Sequence, residues 1–309
     1  MVLRIMILIL LAFPLMSNAQ SIRETEHRYD PPWNKPWNKS LNFTVKGVDN
    51  LPDIYGEIND PQLVIFMGGN QFMVLDELIP AFKKKFPQYQ RILIETLPPG
   101  LLFQQIEQGT LTIGNMQISV KPDIYTAGAD KIEQNMKMFS REEAFTSTKL
   151  ALMVAKGNPK KINGFLDLQR KDLRISMPDK KIEGIGRTIE DAYLKAGGDA
   201  MHQRIMVEKV VEGTTYITQI HHRQSPMRIL TADSDVAPVW ETEILYQQKL
   251  GHLVESITIP DEYNKVSVTK AGLLKSALHR QAAQDFLDFL TGEESQQIFQ
   301  RFGFGPAKQ

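Results

Sequence analysis

The sequence predicts an α/β protein of two lobes, each a mainly parallel sheet flanked by helices. Three observations predict it. Short apolar runs alternate with stripes at helical spacing, the order that builds a sheet covered by helices. The alternation falls into two blocks, 61–145 and 146–266. A last strand and two helices, within 267–309, follow the second block and need a core to pack on. The simplest topology returns them to the first lobe. Two strands then cross between the lobes and make a hinge, with a cleft between the halves.

The elements follow in order. Met1 to Ala19 has a short basic start, an apolar run from Ile5 to Phe13, and small residues at Ser17 and Ala19. This is the pattern of a secretory signal, cleaved after Ala19, and it is too short to span a bilayer. Residues 20–60 read as an extended arm carrying Pro-Trp-Asn-Lys twice (32–35, 36–39). The two tryptophans fit either a docking segment or rings laid in surface grooves.

In the first block, Leu63 to Met67 is an unbroken apolar strand, ended by Gly68-Gly69-Asn70-Gln71. Leu75, Leu78, Ile79, Phe82 and Phe86 then mark a helix that Pro80 should kink or end. Arg91 to Thr96 is a strand, Leu101 to Ile106 starts a helix, and Asp123 to Gly128 is a third strand. In the second block, strands are expected over Lys149 to Ala155, Leu173 to Met177 and Ile205 to Val211. Helices should open at Gly184 and at Gly213-Thr214-Thr215. The first should be capped at Gly197-Gly198. Glu241 to Leu250 is a helix and Val266 to Leu274 the returning strand. Thr291 and Glu294 fit a capping box for the last helix.

Composition narrows the function. The 309 residues carry 36 basic and 36 acidic side chains, and no cysteine. A net charge of zero argues against a nucleic-acid footprint. The missing thiols remove disulfides, thiolate nucleophiles and Cys-ligated metal together. They also remove a lipid anchor on cysteine, so a freely diffusing periplasmic protein, a monomer, is expected. No cofactor is expected, and the adjacent His221-His222 do not converge as metal ligands.

Four places share one feature, a strand ending in small or amide residues with a helix starting at once. They are Gly68 to Gln71, Pro99-Gly100, Gly184 to Thr188 and Gly213 to Thr215. A helix N-terminus presents unpaired N–H groups and a partial positive charge, a ready site for an anion. Strand ends of an open α/β sheet face the crevice. The candidate ligand-binding residues are therefore Gly69, Asn70, Gln71, Gly100, Arg187, Thr188, Thr214, Thr215 and Trp240. Arg187 fits a bidentate anion contact or a solvated first turn. Trp240 fits a cleft wall or core packing. Asp233 and Asp235 fit acid–base work or turn chemistry. No Gly-x-Ser-x-Gly, Walker or His-Glu-x-x-His motif occurs.

Phe66 to Gln71, Leu150 to Pro159, Ala232 to Trp240 and Gln296 to Pro306 together resemble the type II periplasmic solute-binding proteins of ABC importers, in particular the molybdate/tungstate-binding branch. The resemblance covers about residues 61–307. It implies capture of a small anion between closing lobes and delivery to an ABC permease in the inner membrane. It also implies an oxyanion held by serine hydroxyls and backbone N–H groups after the first two strands, with a tyrosine from the second lobe. Asn70, Gln71 and Gly100 stand in place of the serines and Trp240 in place of the tyrosine. A small carboxylate suits these residues as well as molybdate does. The alternatives are a ligand-sensing subunit for a membrane signalling partner and a hydrolase or transferase on the same fold.

Overall fold

The computed structural model describes residues 54–113, 116–219 and 223–307. The signal segment, residues 20–53 of the arm with both tryptophan repeats, and His221-His222 lie outside them. Strand β1 (Ile54–Gly56) falls at the end of the expected arm and adds to a sheet edge. β2 (Leu63–Phe66) is buried along its whole length. A 3-10 turn, Gly69–Val74, leads into α1 (Leu75–Lys85). Pro80 sits inside α1 without ending it. Pro80 lies on the exposed face of α1, where a missing backbone N–H is tolerated.

The chain continues through β3 (Ile92–Glu95) and α2 (Pro99–Gln108), which starts on a proline and ends at the left-handed Gly109. A small hairpin, β4 (Leu111–Ile113) and β5 (Met116–Ile118), precedes β6 (Ile124–Gly128) and α3 (Ala129–Gln134). The long β7 (Phe139–Thr148) then passes almost directly into β8 (Leu150–Ala155). After β9 (Ile175–Met177) comes α4 (Gly184–Gln203), broken at Gly198, where φ is 65°. The chain does break where the glycine pair predicts, but it turns helical again at once.

Residues 205–211, expected as a strand, are helical: a wide turn, Arg204–Glu208, runs into α5 (Lys209–Val211). Most of the β-branched residues here are not core. Val207, Val210 and Val211 are exposed, whereas Ile205 and Lys209, four apart, are fully buried. The Lys209 ammonium donates to the carbonyls of Arg170 (2.8 Å) and Leu173 (2.7 Å). Those bonds compensate the buried charge and set the helix face.

Gly213, with φ 69°, consequently closes a helix instead of opening one. Thr215 begins β10 (Thr215–Ile217). The remaining elements are α6 (Gln224–Leu230), β11 (Val236–Trp240), α7 (Glu241–Lys249), β12 (Val254–Thr258), β13 (Ser267–Leu274), α8 (Arg280–Leu290) and α9 (Glu293–Arg301). Gly292, not Thr291, caps α9, and no side-chain cap bond forms. Thr291 still belongs to the end of α8, so its hydroxyl donates back to Leu287 O (3.2 Å).

Two sheets result. The first has the order β1-β3-β2-β6-β13-β7, the second β10-β9-β11-β8-β12. Both are mixed, where mainly parallel sheets were expected. β2 pairs parallel with β3 and β6, and β9 parallel with β10 and β11. The other pairings are antiparallel. The reason is the crossing: β7 and β8 carry the chain out of the first lobe, and β12 and β13 bring it back. These strands run against those that feed helices.

Alternate residues of each buried strand serve two cores. Leu63 and Ile65 pack in the cluster with Phe82, Phe286 and Phe299 of α1, α8 and α9. Val64 and Phe66 pack with Leu102 and Phe103 of α2. In the second lobe Leu152 and Val154 face Ile189 and Tyr193, while Ala151 and Met153 face Val239 and Ile244. Each such large side chain contributes about 1.5–3 kcal/mol by leaving water. The C-terminus returns to the first sheet, where Ser147 and Gly305 exchange backbone bonds of 2.9 and 2.8 Å.

Candidate ligand-binding site

The parallel strands end at one edge of each sheet, and these edges face each other across a cavity of about 840 Å³. Gly68 to Gln71, Pro99, Gly100 and Ala127 to Lys131 line it from the first lobe. Lys181 to Ile185, Arg187, Thr188, Asp191 and Trp240 line it from the second, and Thr148, Tyr263 and Lys265 to Thr269 from the crossing segments. The N-terminal ends of α2, α3, α4 and α7 therefore meet one cleft. Their N-cap residues, Pro98, Gly128, Glu183 and Trp240, make no side-chain cap bond. An anion held against such an end gains about 0.3–1 kcal/mol, and more where water is excluded.

The floor carries neutral donors. Gln71 is fully buried. The Gly68 N–H donates to the Thr126 hydroxyl (2.8 Å), which in turn donates to Gln71 Oε1 (2.9 Å). This chain of bonds orients the amide and leaves Gln71 Nε2 buried with no partner. Thr148 Oγ1, on the same lining, is likewise buried and without a partner. An unmade bond of this kind costs about 1–3 kcal/mol, and a bound acceptor recovers it.

The lobes touch at the rim. Gly100 N–H donates to Ile182 O across the cleft at 3.1 Å. A Cβ at Gly100 would stand 2.4 Å from that oxygen, so only glycine permits the approach. A second cross-contact is made by Arg223, which is fully buried just before α6. Its Nη2 donates to Gly69 O (3.0 Å), Thr96 O (2.9 Å) and Thr96 Oγ1 (3.2 Å), and its guanidinium lies 4.0 Å over the Phe72 ring. Arg223 thereby fixes the Gly69 turn from the opposite lobe. The loop before α4 is fixed within its own lobe: Thr218 Oγ1 donates to the buried Glu183 and accepts from Asp179 N–H.

Of the expected residues, Gly69, Asn70, Gln71, Gly100, Arg187, Thr188 and Trp240 come together on this lining. Thr214 and Thr215 do not. They stand at the start of β10, away from the strand ends that line the cleft, because Gly213 ends a helix there. Thr214 Oγ1 donates to Lys209 O, and Thr215 is buried opposite Ile175 in the sheet. Thr188 Oγ1 donates to Gly184 O (3.3 Å) inside α4, and Arg187 Nη1 to Lys180 O (3.0 Å). Asp235 pairs with Arg174 through Oδ1 (3.0 Å). Burial pushes its carboxyl up, but the Arg174 bonds outweigh this and hold it below the usual range. Asp233 accepts from the Thr231 hydroxyl (2.6 Å), so neither aspartate serves the cleft.

Sequence reasoning misses Lys131, Thr148, Lys181, Lys195 and Lys265 on the lining, and Arg223 behind it. Solvated lysines carry no periodic signal, and a lone arginine in a polar stretch gives none. Only the neighbourhood of Lys131 to the Gly128 strand end could have marked it. Among the described lining residues, five cations (these four lysines and Arg187) face three carboxylates, Asp130, Glu183 and Asp191. Charge of one sign in a cleft concentrates ligands of the other.

Two α/β lobes joined by crossing strands, with a polar cleft between them, are an architecture that can enclose a small solute. A family model of bacterial extracellular solute-binding proteins matches residues 63–305, and the chain belongs to that family. A sulfate-binding protein of Synechococcus elongatus is 28% identical over 171 residues, 52% of this chain and 48% of that protein. The chain spans about half the length of the curated relatives it matches. Among solved structures, the sulfate-binding protein SubI of Mycobacterium tuberculosis superposes with a TM-score of 0.65 at 16% identity, over 80% of this chain and 87% of that one. The periplasmic molybdate-binding protein of Azotobacter vinelandii gives 0.62 at 17% identity, over 78% and 98%. At these identities the superpositions establish the two-lobe fold.

Proposed function

We propose that this protein captures a small anion between its lobes and delivers it to an ABC permease, as a periplasmic monomer released from its signal at Ala19. The observation that carries the reading is the buried, unpartnered Gln71 Nε2 on a cleft that also gathers four helix N-termini without side-chain caps. Neutral donors at Asn70, Gln71 and Trp240 orient the ligand, Gly100 lets the lobes close over it through its bond to Ile182 O, and Arg187 and Thr188 contact it from the second lobe. Contacts from both lobes favour the touching arrangement, which an open form cannot match. Sulfate and molybdate in the names of the relatives support an anionic solute.

The test is thermal unfolding of the purified chain lacking residues 1–19 against a panel of inorganic oxyanions and organic acids. Ligand at a hundred times its dissociation constant adds about 2.7 kcal/mol, because it binds the native state alone. For a chain of this size that raises the midpoint by about 4 °C. A panel that leaves the midpoint unmoved for every anion refutes the reading.

A further inference from the structure

The geometry points to an organic anion, not an inorganic oxyanion, as the solute: its charged group sits between Lys131 of the first lobe and Arg187 of the second, and its uncharged polar part reaches Gln71 and Thr148. This deepens the anion-capture reading and rests on it. The first argument is size. A tetrahedral oxyanion has five heavy atoms. Granting each the roughly 30 Å³ that a water occupies in the liquid, it fills about 150 Å³. The cleft measures about 840 Å³, within the range of about 300–1,000 Å³ of pockets that enclose larger organic ligands.

The second argument is the separation of charge by depth. Gln71 and Thr148 are buried, each with a donor that lacks a partner, and both are neutral. Lys131 is half-buried and Arg187 exposed on the same lining. The floor thus asks for hydroxyl or carbonyl oxygens and the mouth for a full negative charge. A ligand that meets both levels carries a neutral polar part as well as its charge.

The third argument is that the two cations line the same cleft from different lobes. Lys131 Nζ is held 3.6 Å over the Phe103 ring, which fixes it on its own lobe. Burial lowers the pKa of its ammonium, Glu107 pulls it back, and Arg187 lowers it again from the facing lobe. Two cations brought together by touching lobes repel, and a carboxylate or phosphate between them turns that repulsion into two attractions. The clamp therefore discriminates in favour of a ligand long enough to present its charge at the mouth.

The experiment measures binding to the chain lacking residues 1–19 by calorimetry. The probes are sulfate, molybdate and phosphate on one side, and three- to six-carbon hydroxy acids and their phosphate esters on the other. An organic probe is expected to bind at least tenfold more tightly than every inorganic one. Lys131→Gln and Arg187→Gln should each weaken it more than tenfold, with unfolding midpoints in the absence of ligand unchanged, and added salt should weaken it further. Carboxylate and phosphate probes tell the two kinds of charged group apart. Tightest binding of sulfate, molybdate or phosphate overturns this inference but leaves anion capture standing. Organic binding that both variants leave untouched overturns the clamp. No binding of any anion refutes the underlying reading as well.

Discussion

Gly100→Ala isolates the contact between the lobes from the folding of either one. Gly100 is the second residue of α2, and its backbone is not in the left-handed region, so alanine fits its own lobe. There it should stabilise slightly, since glycine costs a helix up to about 1 kcal/mol relative to alanine. The conflict lies wholly with the second lobe. The added methyl would stand 2.4 Å from Ile182 O and 3.0 Å from its carbonyl and α carbons. These are backbone atoms and cannot rotate away. Relief requires the lobes to part, which breaks the Gly100 N–H bond to Ile182 O. Overpacking costs about 1–3 kcal/mol and the lost bond about 0.5–1.5 kcal/mol. An overall penalty of about 2 kcal/mol on the touching state weakens ligand about thirtyfold, at about 1.4 kcal/mol per decade. Calorimetry with the anion selected by the panel measures the affinity, and urea unfolding of the ligand-free protein serves as control. A dissociation constant within threefold of the parent, with unfolding unchanged, would show that this contact plays no part in capture.

Gln71→Glu keeps an acceptor for the Thr126 hydroxyl but replaces the unpartnered donor by a carboxylate oxygen. It should weaken anion binding at least a hundredfold by calorimetry, and retained affinity would remove Gln71 from the site. Arg223→Ala removes a buried cation and leaves Gly69 O and Thr96 without the donor that spans the lobes. Because bonds to a charged group are worth about 1.5–3 kcal/mol, it should lower stability in urea by about 3 kcal/mol; a change under 1 kcal/mol would deny it the bridging role. Burial pushes the Glu95 carboxyl up to about 7 from 4.5, against a weak opposing bond from Gln105. The folded state then keeps a proton that the unfolded chain has lost, so stability falls as pH rises from about 4.5 to about 7, by roughly 3 kcal/mol in all. Glu95→Gln should abolish that slope in midpoints recorded across this range, and an unaltered slope would assign it to other groups.

How much could be read before the fold was known depends on how local the cause is. The strand at Leu63, the helix at Leu75 and the strand from Lys149 are each set by the run or period of apolar side chains within a few residues. The glycine and amide residues after the strands mark the cleft ends at Gln71, Gly100 and Arg187 for the same local reason. Residues 205–211 escaped, because a run of β-branched residues looks like a strand until Lys209 is seen to reach carbonyls near residue 170. Thr214 and Thr215 failed with it, since Gly213 closes a helix or opens one depending on what precedes it. Thr291 lost its capping role to the neighbouring α8.

The order of residues alone thus determined an α/β chain with two cores and a return of its C-terminal helices, because burial periodicity is written into each segment. Only the tertiary structure decided which strands run antiparallel, that Lys131 and Arg187 line one cleft, that Arg223 spans the lobes, and that Gln71 keeps a donor without a partner. These depend on distances between segments tens to over a hundred residues apart, which packing of the two sheets creates and no stretch of sequence contains.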